Sequence, residues 1–196
     1  MPNANVVMRA VGAGTPAQGS LVIPSLLLTT NTETLFTAQA GGPVVIAPFP
    51  PAQFAGTLGF GSGYDGFPFK VRAAFKAANT IASSTAIIAM YVNQVGTTIT
   101  AGNKIGTVTS QSLSATGSAA GVLECICVYD SVSASIGGYQ QGWFGSGSLV
   151  TQAAFTGAAT IAISALANLN FSLTATCGTT AKSVTFTVTE FAIETM

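Results

Sequence analysis

An all-β fold, two antiparallel sheets packed face to face as a sandwich of jelly-roll type, is what this sequence predicts. The first observation lies near the C-terminal end. There Leu169, Phe171 and Leu173 alternate with Asn170, Ser172 and Thr174, and Val184, Phe186 and Val188 alternate with Thr185, Thr187 and Thr189. A period of two marks a strand with one buried face. The second is Phe67 to Lys76, where Phe69, Val71, Ala73 and Phe75 point one way and Lys70, Arg72, Ala74 and Lys76 the other, so its register is expected to be firm. The third is that such runs are short, about eight to ten in number, and separated by Gly, Pro and Ser breaks without a repeat of fixed period. Many short strands with long glycine-rich connections suit a sandwich better than a solenoid or a propeller.

Taken in order, residues 1–20 are rich in Ala, Gly, Asn, Pro and Gln with no sustained period. They are expected to form an extended N-terminal arm, followed by one sandwich domain over residues 21–196. Leu21 to Leu28 is interrupted by Pro24, which makes it an edge or an irregular run. Thr34 to Gln39 reads as a short strand and Val44 to Ala47 as an apolar run stopped by Pro48, with Pro50-Pro51 continuing the break into a loop that ends at Gly66. Thr85 to Asn93 is nearly continuously apolar, as in a strand covered on both faces, and is expected to be central.

Further strands are predicted at Lys104 to Ser110, Gly121 to Tyr129, Leu149 to Phe155 and Ala159 to Ala165. The stretch Ala158 to Leu169 also satisfies a helical period, and an alanine-rich helix stays open there. The two C-terminal strands, joined by the polar break Cys177 to Lys182, are expected to pair as a hairpin. The apolar face switches to Phe191 and Ile193 after Glu190, which calls for a β-bulge or a strand that changes sheet.

Composition narrows the function. Charged residues make up 6% of the 196, with net charge zero and no histidine, against about 25% charged in ordinary globular proteins. Weak repulsion between copies favours association, so an assembly subunit is expected. A balance of six basic and six acidic residues offers no general attraction to nucleic acid or to an anionic membrane, and neither is expected as a partner. Met1-Pro-Asn-Ala-Asn carries no basic n-region and no run approaches the roughly 18 apolar residues of a membrane span, so folding in a cytoplasm is expected. Cys125 and Cys127 lie two apart on one strand, sharing a face but poorly placed to bridge; buried reduced thiols are predicted.

Catalytic chemistry finds little to work with. Without histidine, histidine-based triads and ordinary zinc sites are excluded, and no Gly-x-Ser-x-Gly elbow occurs. Gly61-Ser-Gly-Tyr-Asp-Gly66 has the letters of a dinucleotide fingerprint, but a strand follows it where a helix is needed, so it reads as a turn. Glu190 and Glu194 share a strand face, yet four residues span roughly 13 Å, against the 5 to 9.5 Å or so of a glycosidase pair. They are expected to be solvated or paired with Lys70, Arg72 or Lys76. No enzyme, cofactor, metal site or small-molecule substrate is expected.

Two groups remain as candidate binding residues. Lys70, Arg72 and Lys76 share the outward face of one strand and suit an acidic partner surface as well as plain solvation. Gly137 to Ser148, read as a loop, places Tyr139, Trp143 and Phe144 among glycines. Such aromatics either cap the end of a sandwich or meet a partner.

Leu21-Val-Ile-Pro-Ser, Phe69-Lys-Val-Arg-Ala, Ala89-Met-Tyr-Val-Asn, Asn168-Leu-Asn-Phe-Ser-Leu-Thr and Val184-Thr-Phe-Thr-Val-Thr-Glu-Phe-Ala-Ile-Glu together resemble the jelly-roll structural proteins of tailed bacteriophages. The resemblance runs over residues 21–194 and is greatest to head decoration, or cement, proteins. It implies a non-enzymatic virion subunit, a homotrimer seated on the major capsid protein at the capsid surface and made in the host cytoplasm. It carries over no functional residue. A receptor- or glycan-binding head module of a phage fibre or spike is the alternative from another class.

Overall fold

The computed structural model describes residues 8–9, 25–36, 45–49, 68–81, 83–92, 99–130, 132–133, 135–145, 148–162, 169–178 and 183–196. Along them run β1 (Met8–Arg9), β2 (Ser25–Leu28), β3 (Thr34–Leu35), β4 (Val45–Phe49), β5 (Pro68–Asn79), β6 (Ala86–Val92) and β7 (Lys104–Thr109). They continue with β8 (Ser118–Asp130), β9 (Ser135–Phe144), β10 (Ser148–Ala154), β11 (Thr160–Ala162), β12 (Leu169–Cys177) and β13 (Val184–Thr195). A 3₁₀ turn at Ala101–Asn103 precedes β7.

These strands make two antiparallel sheets. The larger runs β1-β13-β5-β8-β9-β10, with β2 also on β13 and β11 also on β9; the smaller runs β3-β12-β6-β7, with β4 also on β12. Each element follows from its residues. Along β5, Phe69, Val71, Ala73, Phe75 and Ala77 are buried while the residues between them are not, so the period of two sets which face meets the core. In β6, Ile88, Met90 and Val92 are buried, and so are Ala89 and Tyr91 on the other face. That is the central strand expected from its continuous apolar run, and β12 and β7 flank it.

The core lies between the sheets. Phe69 of β5 meets Phe171 of β12 edge-on, with ring centroids 6.0 Å apart, and Phe75 meets Phe144 of β9 edge-on at 4.9 Å. Such pairs add about 0.5–1.5 kcal/mol beyond the area they bury. Cys125, Cys127 and Cys177 are free thiols inside this core, as the sequence implies.

The hairpin expected at the C-terminus does not form. β12 belongs to the smaller sheet and β13 to the larger, so Phe171 and Leu173 enter the core from one sheet and Phe186 and Val188 from the other. Alternation is the same in both arrangements, which is why the period cannot separate them. The change of sheet follows residue 177, where Gly178 N–H donates to the Thr85 carbonyl at 2.9 Å beside the start of β6. The face switch in β13 is a bulge: Val188 opposes Phe75 and Glu190 opposes Ala74, leaving Thr189 as the extra residue.

Gly137 to Ser148, expected as a loop, is instead most of β9 with the start of β10. Its inward positions read Ile136, Gly138, Gln140, Gly142, Phe144, an order that hides the apolar period. Gly138 has φ +152° with its Cα against the Ile126 carbonyl, where a Cβ would overlap; only glycine lets the two strands close there. Thr160–Ala162 is strand, so the helical alternative fails for the described part of Ala158 to Leu169. Of the expected arm, Met8–Arg9 pair with Ile193 and Ala192 of β13. The rest of residues 1–20 and the Gly61–Gly66 turn lie outside the described residues.

Candidate functional site

The larger sheet turns one face to the core and the other outward, and the outward face gathers most of the residues picked out by sequence. Register sets their order. Arg72 of β5 lies opposite Glu124 of β8, which lies opposite Gln141 of β9. One step along, Ala74, Val122 and Trp143 form the next row, and on the other side Lys70, Ile126 and Tyr139 form a third.

The middle row is a polar network. Arg72 Nη1 donates to Glu190 Oε2 at 3.0 Å, and Arg72 Nε lies 3.3 Å from Glu124 Oε1. Lys70 Nζ is 3.7 Å from the same Glu124 oxygen, and Gln141 Nε2 donates to Glu124 Oε2 at 2.9 Å. Glu190 pairing with Arg72 is as the sequence implies. Sequence alone does not mark Glu124 and Gln141 as partners, because Glu124 sits in an apolar run and Gln141 in a glycine-rich stretch that hides its strand period. The usable signal was parity: Gln141 shares a strand face with Tyr139 and Trp143.

The aromatics separate. Trp143 keeps 45% of its surface exposed, Tyr139 is half-buried two rows away on the same face, and Phe144 is fully buried in the core. Phe144 therefore packs inside the molecule and is not available to a partner. Lys76 is exposed, opposite Thr187 and Ala120, in the row next to that of Trp143 on the side away from Arg72.

A second cluster lies on the outer side of the smaller sheet. Glu33 accepts from Tyr91 Oη at 2.8 Å and from Thr174 Oγ1 at 2.6 Å, with Lys104 Nζ at 3.5 Å. Lys104 Nζ also stands 5.2 Å from the Tyr91 ring centroid. Burial, then the hydrogen bond and charge of Glu33, push the Tyr91 phenol well above its ordinary value. The carboxylate thus pins the crossing between β2 and β3 onto β6, β7 and β12, and its partners are already engaged. Among the described residues no group of three or more Cys, Asp or Glu is placed to hold a metal ion.

Apolar side chains also stand out at both ends of the larger sheet. Leu27 and Ile81, each 57% exposed, flank the end where Leu28, Val184 and Asn79 are in register. Val132, 93% exposed, tips the β8–β9 turn at the opposite end. Asp130 holds that turn, accepting from the N–H groups of Val132 (2.9 Å) and Ser133 (3.4 Å) and from Ser133 Oγ (2.6 Å). The Ser133 hydroxyl, then these backbone donors, hold the Asp130 carboxyl below its usual range.

The chain matches no protein-family model, no curated protein and no solved structure.

Proposed function

We propose that the protein is a non-enzymatic structural subunit of a virion, a decoration protein that binds the outside of a tailed-phage head and stabilises it. The observation that carries this reading is the presentation of apolar side chains at opposite ends of one sheet, Leu27 and Ile81 at one and Val132 at the other. A subunit with contact points at both ends is suited to bridging neighbours. Most charges of the described residues are meanwhile spent within the molecule, Lys70 and Arg72 on Glu124 and Glu190, Lys104 on Glu33. The surface left over is short on charge, which favours protein contacts over ionic ligands. The resemblance of the strand segments to phage cement proteins points the same way, and jelly-roll connectivity, trimeric state and seating on the major capsid protein belong to the same proposal.

The test is sedimentation of the purified protein with assembled, undecorated shells. The protein is expected to pellet with the shells, and Val132→Asp to weaken that binding while leaving the melting temperature unchanged. Binding to host cells with none to shells would replace this reading with a receptor-binding head module.

A further inference from the structure

We propose that the outward face around Trp143 is a binding site for a neutral oligosaccharide, a property that goes beyond the decoration role and does not depend on it. The placement of Trp143 is the starting point. It lies within β9 with Val122 of β8 and Leu149 of β10 as its in-register neighbours, so its backbone is held on both sides in the body of the sheet. The inward positions of the same strand are given to Gly138, Gln140 and Gly142, while the indole, the largest apolar side chain type, remains 45% exposed. It contributes nothing to the core. On the same face Gln141 and Tyr139 follow at alternate positions, so the two rings are separated by roughly 13 Å along the strand. The result is an elongated strip with an amide between two aromatic rings, a shape for linked rings rather than for a compact ligand.

Charge selects among ligands. Lys70 and Arg72 lie within ion-pair distance of Glu124, and Arg72 also pairs with Glu190. The polar row on one side of Trp143 therefore offers no excess of either sign to an ionic ligand, and the row on its other side holds a single exposed cation, Lys76. Hydroxyl groups both donate and accept, so a polyol can bond to the Glu124 carboxylate, the Gln141 amide and the Arg72 guanidinium without unpairing a charge. The indole face carries a negative quadrupole, which attracts the polarised C–H groups on the flat side of a pyranose ring.

A protein partner fits less well. Stable protein interfaces bury about 800 Å² per side around a contiguous apolar centre. Trp143 is the one exposed large apolar side chain among the described residues of β5, β8 and β9.

The sequence contains a single tryptophan and four tyrosines, so tryptophan emission, excited selectively, reads this site alone. Full-length protein is titrated with cello-, malto-, chito- and mannohexaose and, as the charged control, a heparin hexasaccharide. At least one neutral sugar is expected to quench or blue-shift the emission saturably. By calorimetry Trp143→Ala should abolish the binding, Trp143→Phe should retain it at reduced affinity, and Glu124→Gln should weaken it at least tenfold. Circular dichroism checks that each variant is folded. Silence with every neutral sugar overturns the proposal, as does binding that survives Trp143→Ala or a preference for the heparin fragment. Emission that shifts with protein concentration alone, with Trp143→Ala lowering the oligomeric state, assigns the face to a second copy and also overturns it.

Discussion

Gln140 reaches across the sandwich to Thr107, its Oε1 accepting the Thr107 backbone N–H at 2.7 Å while its Nε2 donates to Thr156 Oγ1 at 3.0 Å and to the Ala154 carbonyl at 3.3 Å. One side chain, 5% exposed, thus ties β9 of the larger sheet to β7 of the smaller and to the end of β10. Replacing it with Leu keeps the bulk but strips the Thr107 N–H of its acceptor in an apolar interior, at a cost of about 1–3 kcal/mol. Urea unfolding of Gln140→Leu should show that loss with the slope unchanged. A change below about 0.5 kcal/mol would mean another acceptor takes over.

The same glutamine shows where sequence reading runs out. Phe69, Val71, Ala73 and Phe75 on β5, and Phe186 and Val188 on β13, were legible because their alternation follows burial directly. The bulge at Thr189 was legible as a break in parity. β9 was not, since it carries Gly138, Gln140 and Gly142 inward and Tyr139, Gln141 and Trp143 outward, an inversion of the usual pattern that only the cross-strand partners explain. For the candidate face, Trp143, Tyr139, Lys70 and Arg72 were visible as residue types. That Arg72, Glu124 and Gln141 share one row depends on strand order, which no single-strand period encodes.

Gly106 of β7 packs beneath Cys125, and a Cβ there would stand 2.7 Å from Cys125 Sγ, 3.2 Å from Leu123 Cδ1 and 3.3 Å from Gln140 Oε1. Gly106→Ala should therefore destabilise by about 1–3 kcal/mol through overpacking. Cys125→Ala removes the nearest obstructing atom, so the double variant should lose less than the sum of the two single losses. An additive double-mutant cycle would show that the two positions do not meet.

Stability should decline in alkali. Burial raises the Cys125 and Cys127 thiols above the ordinary 9.0, with Cys127 and Glu124 adding to the effect on Cys125, and burial together with Glu33 raises the Tyr91 phenol above 10.0. The folded protein keeps protons that the unfolded chain releases. The contribution is thus complete below the unfolded values and is lost progressively as pH rises above them and through the raised folded values. Urea midpoints measured from about pH 8 to about pH 11 should fall, and Tyr91→Phe should flatten the fall above about pH 10. A level profile would contradict the burial of these groups as ionisable partners.

The central claim, a subunit that adds binding strength to a shell without catalysing anything, is tested most directly by rupture. Shells assembled with and without the protein are heated while release of their contents is followed by the fluorescence of a nucleic-acid dye. Decorated shells are predicted to open at a higher temperature, shells carrying Val132→Asp protein at an intermediate one. Identical rupture temperatures for bare and fully decorated shells, with occupancy confirmed by sedimentation, would contradict the account.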